Sequence, residues 1–411
     1  MRYSDLQTLQ TPCFILDKDE LERSVKGYQN ALTANFKQSI VGYSVKTNSV
    51  PACMKMAGEM GAYAEVVSHD EYELARLCGF EKDCIVYNGP MKSKVTFLDA
   101  VEHGAIVNIE TKRELDWLKE LPKGGAYKVG VRLNINISQV SPEDADGDND
   151  NSRFGFSDET SEFANAIKLI GDMPNITLAG LHIHRTAHSR SIRFYKKSIE
   201  FACKTIEKYG LKLDYLDVGG GYFGIFPNKP TYQEYSDAFC EVLTAHGLQD
   251  LGVIVEPGNA LVASCFSFLS EVIDVKHVEK ELWFATTDGS RNDLDPFFKK
   301  SGYLSEVLYQ EGANGSCAPV GAQASKLGAI VKEQIVSGCT CLEYDRMFTL
   351  ADKPLLSVGD RILYRNVGAY TMCLSPMFIR YIPNIYLKTD DSYKLVREKW
   401  TAKEHVMKNM F

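Results

Sequence analysis

Lys46, His184 and Glu256 each stand where an apolar run gives way to polar residues: after IVGYSV, at the end of LAGLHIH, and within VIVEPG. A primary amine at the end of a buried strand can form an imine with an aldehyde. It can equally be a rim lysine whose stem packs while its ammonium stays in water. The run DVGGGYFG from Asp217 presents successive backbone N–H groups with no side chain in the way, as a phosphate needs, although a tight turn uses glycine just as readily. Glu256, ahead of Pro257 and Gly258, can keep a pyridine nitrogen protonated and so turn that ring into an electron sink. Its plainer reading is a rim ion pair. Each feature is weak alone, and what it means depends on the elements that carry it.

Eight short runs rich in β-branched residues recur along the chain: from Ile40, Ala62, Cys84, Ala105, Tyr127, Leu178, Tyr215 and Val253. Between them lie segments with apolar spacing near 3.6, such as Asp70 to Cys78 and Ile192 to Tyr209, the second ending at a helix-capping Gly210. This alternation predicts parallel βα units, and eight of them predict an α/β fold of the (β/α)8 TIM-barrel type. An open dinucleotide-binding sheet is the alternative, but the segment after the first run, SVKTNSVP, lacks the glycine fingerprint of that fold. In a barrel the reactive groups collect at the C-terminal ends of the strands. Those ends carry Lys46, Glu65, Arg132 with Asn134, His184, Gly219 to Gly221, and Glu256.

Past Cys265 the texture changes to strands and turns: SFLSEVIDVKHV, LWFATTDG, GDRILYRNVGAYT and FIRYIPNIYL. We expect a barrel over residues 18–264 and a second, mostly β domain, sandwich- or barrel-like, from residues 265–411 with residues 1–17, whose strand PCFILD joins it. The acidic segment Ser141 to Asn151 reads as a solvated loop. With 411 residues, 45% hydrophobic content and a formal charge of -8, the chain can build a large core and has no broad basic footprint for nucleic acid. No run approaches a membrane span, and the N-terminal stretch lacks a secretory pattern, so a cytoplasmic protein is expected. Eleven cysteines without CxxC pairs suit reduced thiols, most of them small core residues, better than disulfides or a metal site.

YSVKTN, AEVVS, SRFGF, HIH, DVGGG, EPG, the Cys341-to-Asp345 spacing and GAYT occur in the order seen in diaminopimelate and ornithine decarboxylases. The chain resembles this fold type III pyridoxal-phosphate family from Thr11 to about Ile385, as a divergent member. The resemblance implies that Lys46 holds pyridoxal 5'-phosphate, that His184 stacks on the ring and that Glu256 meets its nitrogen. It implies phosphate binding by Gly219, Gly220 and Gly221 with Tyr370, and places Glu65 and Arg132 near the cofactor. It further implies a homodimer with shared active sites, in which Cys341 from the second subunit reprotonates the carbanion and Arg153 pairs with the partner subunit's Asp345.

Three departures stand out. Arg185, Thr186 and Ala187 replace the family's Ile-Gly-Ser after the stacking histidine, and Asn259 replaces an arginine, so two phosphate ligands change. Ser189, His188 or Arg190 are candidates to compensate. Leu342 stands where the family has an acid that receives the substrate's distal ammonium, with Glu343 next to it. The expectation is a decarboxylase of an amino acid or conjugate without that ammonium, as in siderophore or other specialised biosynthesis, with Arg185, Arg190 and Arg291 as candidates for an anionic tail. A racemase or epimerase on the same scaffold, or a catalytically silent regulatory homologue, are the alternatives.

Overall fold

The computed structural model describes residues 6–145, 151–310, 329–390 and 392–410. They form two compact units, one from Leu21–Val262 and the other from Met1–Glu20 with Ala263–Phe411. Among the described residues no helix is long and apolar enough to cross a membrane.

In the first unit the eight apolar runs become eight strands: β2 (Ser39–Ser44), β3 (Tyr63–Ser68), β4 (Ile85–Met91), β5 (Ile106–Ile109), β6 (Tyr127–Arg132), β7 (Ile176–His182), β8 (Tyr215–Asp217) and β9 (Gly252–Val255). They pair in chain order and close into a barrel, with β2 returning to β9 through Ser39↔Val253, Ile40↔Ile254 and Val41↔Val255. Strands covered on both faces must be apolar nearly throughout, which is why the runs were visible in the sequence. The helix Ile192–Tyr209 begins where Ser191 accepts the Phe194 N–H. It ends at Gly210, whose left-handed backbone (φ 59°) a side chain would disfavour.

Among the described residues the second unit forms a nine-stranded sheet. Strand β1 (Cys13–Asp17) lies between β10 (Phe266–Glu279), to which it is antiparallel, and β16 (Asn384–Lys388), to which it is parallel. The N-terminal strand is thus a central member of the C-terminal sheet. Phe14 packs on Phe268 with ring centroids 4.9 Å apart, while Cys13 and Ile15 join Leu269 and Leu363 in a buried cluster.

Besides β11 (Leu282–Thr287) and β15 (Arg361–Arg365), the sheet contains β12 (Ser305–Leu308), β13 (Ile330–Ser337), β14 (Arg346–Pro354) and β17 (Tyr393–Arg397), four strands the sequence did not announce. Strands β13 and β14 carry Lys332, Glu333, Asp352 and Lys353 within their runs, so their apolar pattern is diluted. Conversely, the GAYT and FIRY segments are not strands. Tyr370 (φ 53°) and Ile379 (φ 68°) adopt left-handed backbone that breaks an extended chain.

The acidic segment also differs from expectation, although its residues 146–150 lie outside the described ones. Ser141 and Asp144 are buried, and Asp144 accepts hydrogen bonds from Ser141 (2.6 Å), Ser189 (2.5 Å), Ser191 (3.0 Å) and Arg193 (3.1 Å). Its start is an anchored turn. Among the described residues ten cysteines are free thiols; four are buried, five half-buried and Cys341 is exposed, so fewer sit in the core than expected.

Candidate active site

Lys46 lies two residues past the end of β2, in a turn closed by the Thr47 N–H on the Ser44 carbonyl at 3.0 Å. Its ammonium donates to Glu65 Oε2 at 2.7 Å, and the Ser44 hydroxyl donates to the same oxygen at 2.7 Å. Glu65, in β3, is 1% exposed whereas the Lys46 side chain is 32% exposed. The carboxylate is therefore satisfied in the interior while the amine remains reachable.

On the other side of β2, Glu256 follows β9, which pairs with β2. Its carboxylate accepts from Asn88 Nδ2 and lies 3.6 Å from His184 Nδ1 and 3.8 Å from His182 Nε2. His184 Nδ1 accepts the Gly220 N–H at 2.9 Å, so the proton of a neutral ring sits on Nε2. Burial holds His184 well below the usual imidazole range against the opposing pull of Glu256, and burial with the Arg132 charge does the same to His182. Both rings are neutral at physiological pH. Neither ring nitrogen of His182 has a hydrogen-bond partner among the described residues. His182, His184 and Glu256 bring one donor atom each to within 4.8 Å of one another.

The glycine run follows β8. A Cβ at Gly219 would come within 2.4 Å of His184 Nδ1, one at Gly220 within 2.1 Å of the Glu256 carbonyl oxygen, and one at Gly221 within 2.8 Å of Thr186 Oγ1. Close packing against the histidine and glutamate segments thus demands glycine. The Gly219 N–H donates to Asp217 Oδ1 (3.0 Å) and the Gly220 N–H to His184. Two of the three amides expected to cradle a phosphate are already engaged, which corrects that expectation and leaves the Gly221 backbone, beside the Thr186 hydroxyl, as the part of the run to consider.

Arg132, at the end of β6, donates to Glu110 (3.0 Å) and to the His184 carbonyl (3.0 Å), and its guanidinium lies 4.7 Å from the Phe154 ring centroid. It braces the backbone that carries His184. Asn134 Nδ2 bonds the Ser152 and Phe154 carbonyls, both at 2.7 Å, and so fastens the SRFGF turn; Arg153 stacks on Phe154 at 4.2 Å.

Several candidates are engaged elsewhere. Ser189 donates to Asp144, so its hydroxyl is not the compensating phosphate ligand; His188 is exposed, and Asn259 opens the short helix Asn259–Val262. Arg190 lies over Phe223 (5.2 Å) and bonds the Tyr222 carbonyl (3.4 Å). Arg291, in the β unit, pairs with Asp295 at 3.1 Å, which removes it as a ready anion ligand.

Also in that unit, Cys341 and Glu343 are exposed, Leu342 is half-buried, and Tyr370 is 42% exposed. Asp345 is buried and accepts from the Arg291 N–H (2.8 Å), the Thr340 N–H (3.1 Å) and the Thr340 hydroxyl (2.6 Å). Its carboxylate thus takes three hydrogen bonds within its own unit.

Sequence reasoning did not single out Asn88, Asn108 or Asp217. Asn88 and Asn108 sit in the apolar runs of β4 and β5, where an amide among β-branched residues is the signal that could have found them.

Residues 18–263 match the family described as "Pyridoxal-dependent decarboxylase, pyridoxal binding domain". The chain belongs to this family. It is a pyridoxal 5'-phosphate-dependent carboxy-lyase with the fold type III architecture. It is 26% identical over 394 residues to the probable chloroplastic diaminopimelate decarboxylase of Oryza sativa subsp. japonica, covering 93% of this chain and 76% of that protein. It is 28% identical over 405 residues to the diaminopimelate decarboxylase of Archaeoglobus fulgidus, covering 95% of this chain and 90% of that one. The crystal structure of diaminopimelate decarboxylase from M. jannaschii shares the fold with a TM-score of 0.83 and 22% identity, over 99% of this chain and 93% of that one. The Paramecium bursaria Chlorella virus arginine decarboxylase bound to agmatine does so with a TM-score of 0.73 and 18% identity, over 93% and 97%. The reachable amine of Lys46, the neutral imidazoles, the anchored Glu256 and the glycine turn that a Cβ would fill make a donor set that fits pyridoxal phosphate.

Proposed function

We propose that this carboxy-lyase acts on an amino acid or amino-acid conjugate whose tail carries no free ammonium. The observation that carries this reading is Leu342, half-buried directly after exposed Cys341, where the family resemblance calls for an acid. An ammonium placed against leucine loses water and gains no partner, so lysine-like tails are disfavoured by several kcal/mol.

In this reading Lys46 binds the cofactor through its reachable amine, with Glu65 as its counter-ion. His184 faces the ring, and Glu256 holds a proton on the ring nitrogen. The Gly221 backbone serves the phosphate. When bound, the cofactor supplies an electron sink for the pair released with carbon dioxide. Cys341 of a second subunit returns a proton to Cα; the exposure of its thiol supports this role, and with it a homodimer. Free thiols support a reducing compartment such as the cytoplasm.

The test is carbon dioxide release from a panel of amino acids and their acidic conjugates. Turnover of an uncharged or anionic substrate, with little from lysine, ornithine or diaminopimelate, is the expected result. Efficient use of any of the three basic ones overturns it. A second reading, diaminopimelate as substrate, is favoured by the relatives named above and by the exposed Glu343 beside Leu342. Loss of diaminopimelate turnover in Glu343→Gln would support that one.

A further inference from the structure

We propose that Asn88 is a positioning residue that couples the two carboxylates of this site, holding Glu65 against Lys46 and Glu256 toward the cofactor's ring nitrogen through a single amide group. The inference rests on the reading of Lys46 and Glu256 given above. Asn88 lies in β4, 2% exposed, and its Nδ2 donates both to Glu65 Oε1 (3.3 Å) and to Glu256 Oε1. An amide NH2 has two protons, one for each acid, which neither a hydroxyl nor a carboxylate can match.

Which end of the amide faces the acids is decided behind it. Asn88 Oδ1 accepts from Asn108 Nδ2 at 2.8 Å, and that nitrogen also reaches Asp217 Oδ2 at 3.2 Å. Asn108 Oδ1 in turn accepts the Tyr215 hydroxyl at 2.9 Å. Reversing Asn88 would set two nitrogens against each other and an oxygen against two carboxylates. Burial, and then the nearby Glu256, push Asp217 well above the usual carboxylate range.

The barrel wall is shaped for this chain of amides. A Cβ at Gly130 in β6 would fall 2.0 Å from Asn108 Oδ1, and one at Gly180 in β7 would fall 2.0 Å from Tyr215 Cζ. Two strands thus carry glycine where Asn108 and Tyr215 cross the interior. The result is a relay from β8 through β5 to β4 that ends on the two acids, one bonded to the lysine and the other beside His184.

The test uses the holoenzyme and its Asn88→Ala and Asn88→Asp variants, reading the pH midpoint of the visible absorbance of the lysine-bound cofactor, the cofactor dissociation constant, and kcat against KM. Asn88→Asp adds a negative charge beside both acids and should raise the midpoint by about one pH unit. Asn88→Ala removes the donor and should raise it less, with kcat falling about tenfold and KM moving little. Should Asn88→Asp fail to fold, Asn88→Ala, which adds no charge, decides alone. An unmoved midpoint and unchanged kcat in a variant that merely unfolds at lower temperature would reduce Asn88 to a structural residue and overturn the proposal. Absence of the visible band from the wild-type protein supplied with pyridoxal phosphate would instead refute the reading of the site itself.

Discussion

Buried acids occur in both units, and two groups of them differ in where their donors come from. In the β unit Asp345 is held by the Arg291 and Thr340 amides, Asp360 by the Gln310 and Ser357 amides, and Asp295 by the Lys299 and Lys300 amides, all at 2.8–3.1 Å. These carboxylates organise turns. In the barrel Glu65 and Glu256 take donors from the side chains of Ser44, Lys46 and Asn88, and beside them His182 is buried with neither ring nitrogen hydrogen-bonded among the described residues. A carboxylate ringed by backbone N–H groups maintains the fold, whereas one that depends on a lysine and an amide side chain, with such an imidazole next to it, is arranged for something that binds there.

The sharpest break in that contrast is Lys46→Ala. We expect complete loss of turnover and of the cofactor's visible absorbance with an unchanged far-ultraviolet circular dichroism spectrum, because an imine requires a primary amine. Retained absorbance after dialysis would assign the cofactor to another lysine. Asp345→Ala probes the other side. It strands two amides and a hydroxyl in the interior and should cost about 3 kcal/mol in denaturant unfolding. If instead stability holds while the sedimenting mass falls, Asp345 serves an interface.

Cys341→Ala should leave cofactor binding as it is while slowing product formation about 100-fold or returning the proton to the wrong carbon. Wild-type rates and product ratio would remove Cys341 from the reaction. Mixing this variant with Lys46→Ala should restore part of the activity if the two residues serve one site from different subunits.

The smallest effect is expected at Asp144, a barrel-unit acid that takes its donors from the Ser141, Ser189, Ser191 and Arg193 side chains, away from Lys46 and Glu256. Burial alone would raise its carboxyl, but hydrogen bonds from Arg193, Ser141, Ser189 and Ser191 outweigh this and hold it at about 2. Its folded value lies below the unfolded value of about 3.9. Its contribution is therefore complete above about pH 4 and fades as pH falls through about 2. Asp144→Asn should cost about 1–2 kcal/mol at neutral pH, with the difference from wild type vanishing in acid and turnover unchanged. A stability gap that persists at pH 2 would trace the loss to packing.

The barrel strands were legible because a parallel strand covered on both faces must read as an unbroken apolar run, so that the polar residue ending it marks the rim. On that basis alone Lys46, His184 and Glu256 stood out where runs close, while Glu65 was read inside its run and lies within β3. The β unit was less legible, since β13 and β14 carry charges within strands whose pairing depends on distant segments.

What the sequence by itself determined is the order and place of the eight barrel strands and which polar residues close several of them, since these follow from local apolar pattern. Only the tertiary structure decided which groups are engaged. Ser189 went to Asp144, Arg291 to Asp295, and the Gly219 and Gly220 amides to Asp217 and His184, while Asn88 was brought to both acids. The physical reason is that a hydrogen bond is chosen by distance in space. Barrel closure sets those distances by bringing β4 and β5 opposite β8 and β9, strands more than a hundred residues away in the chain.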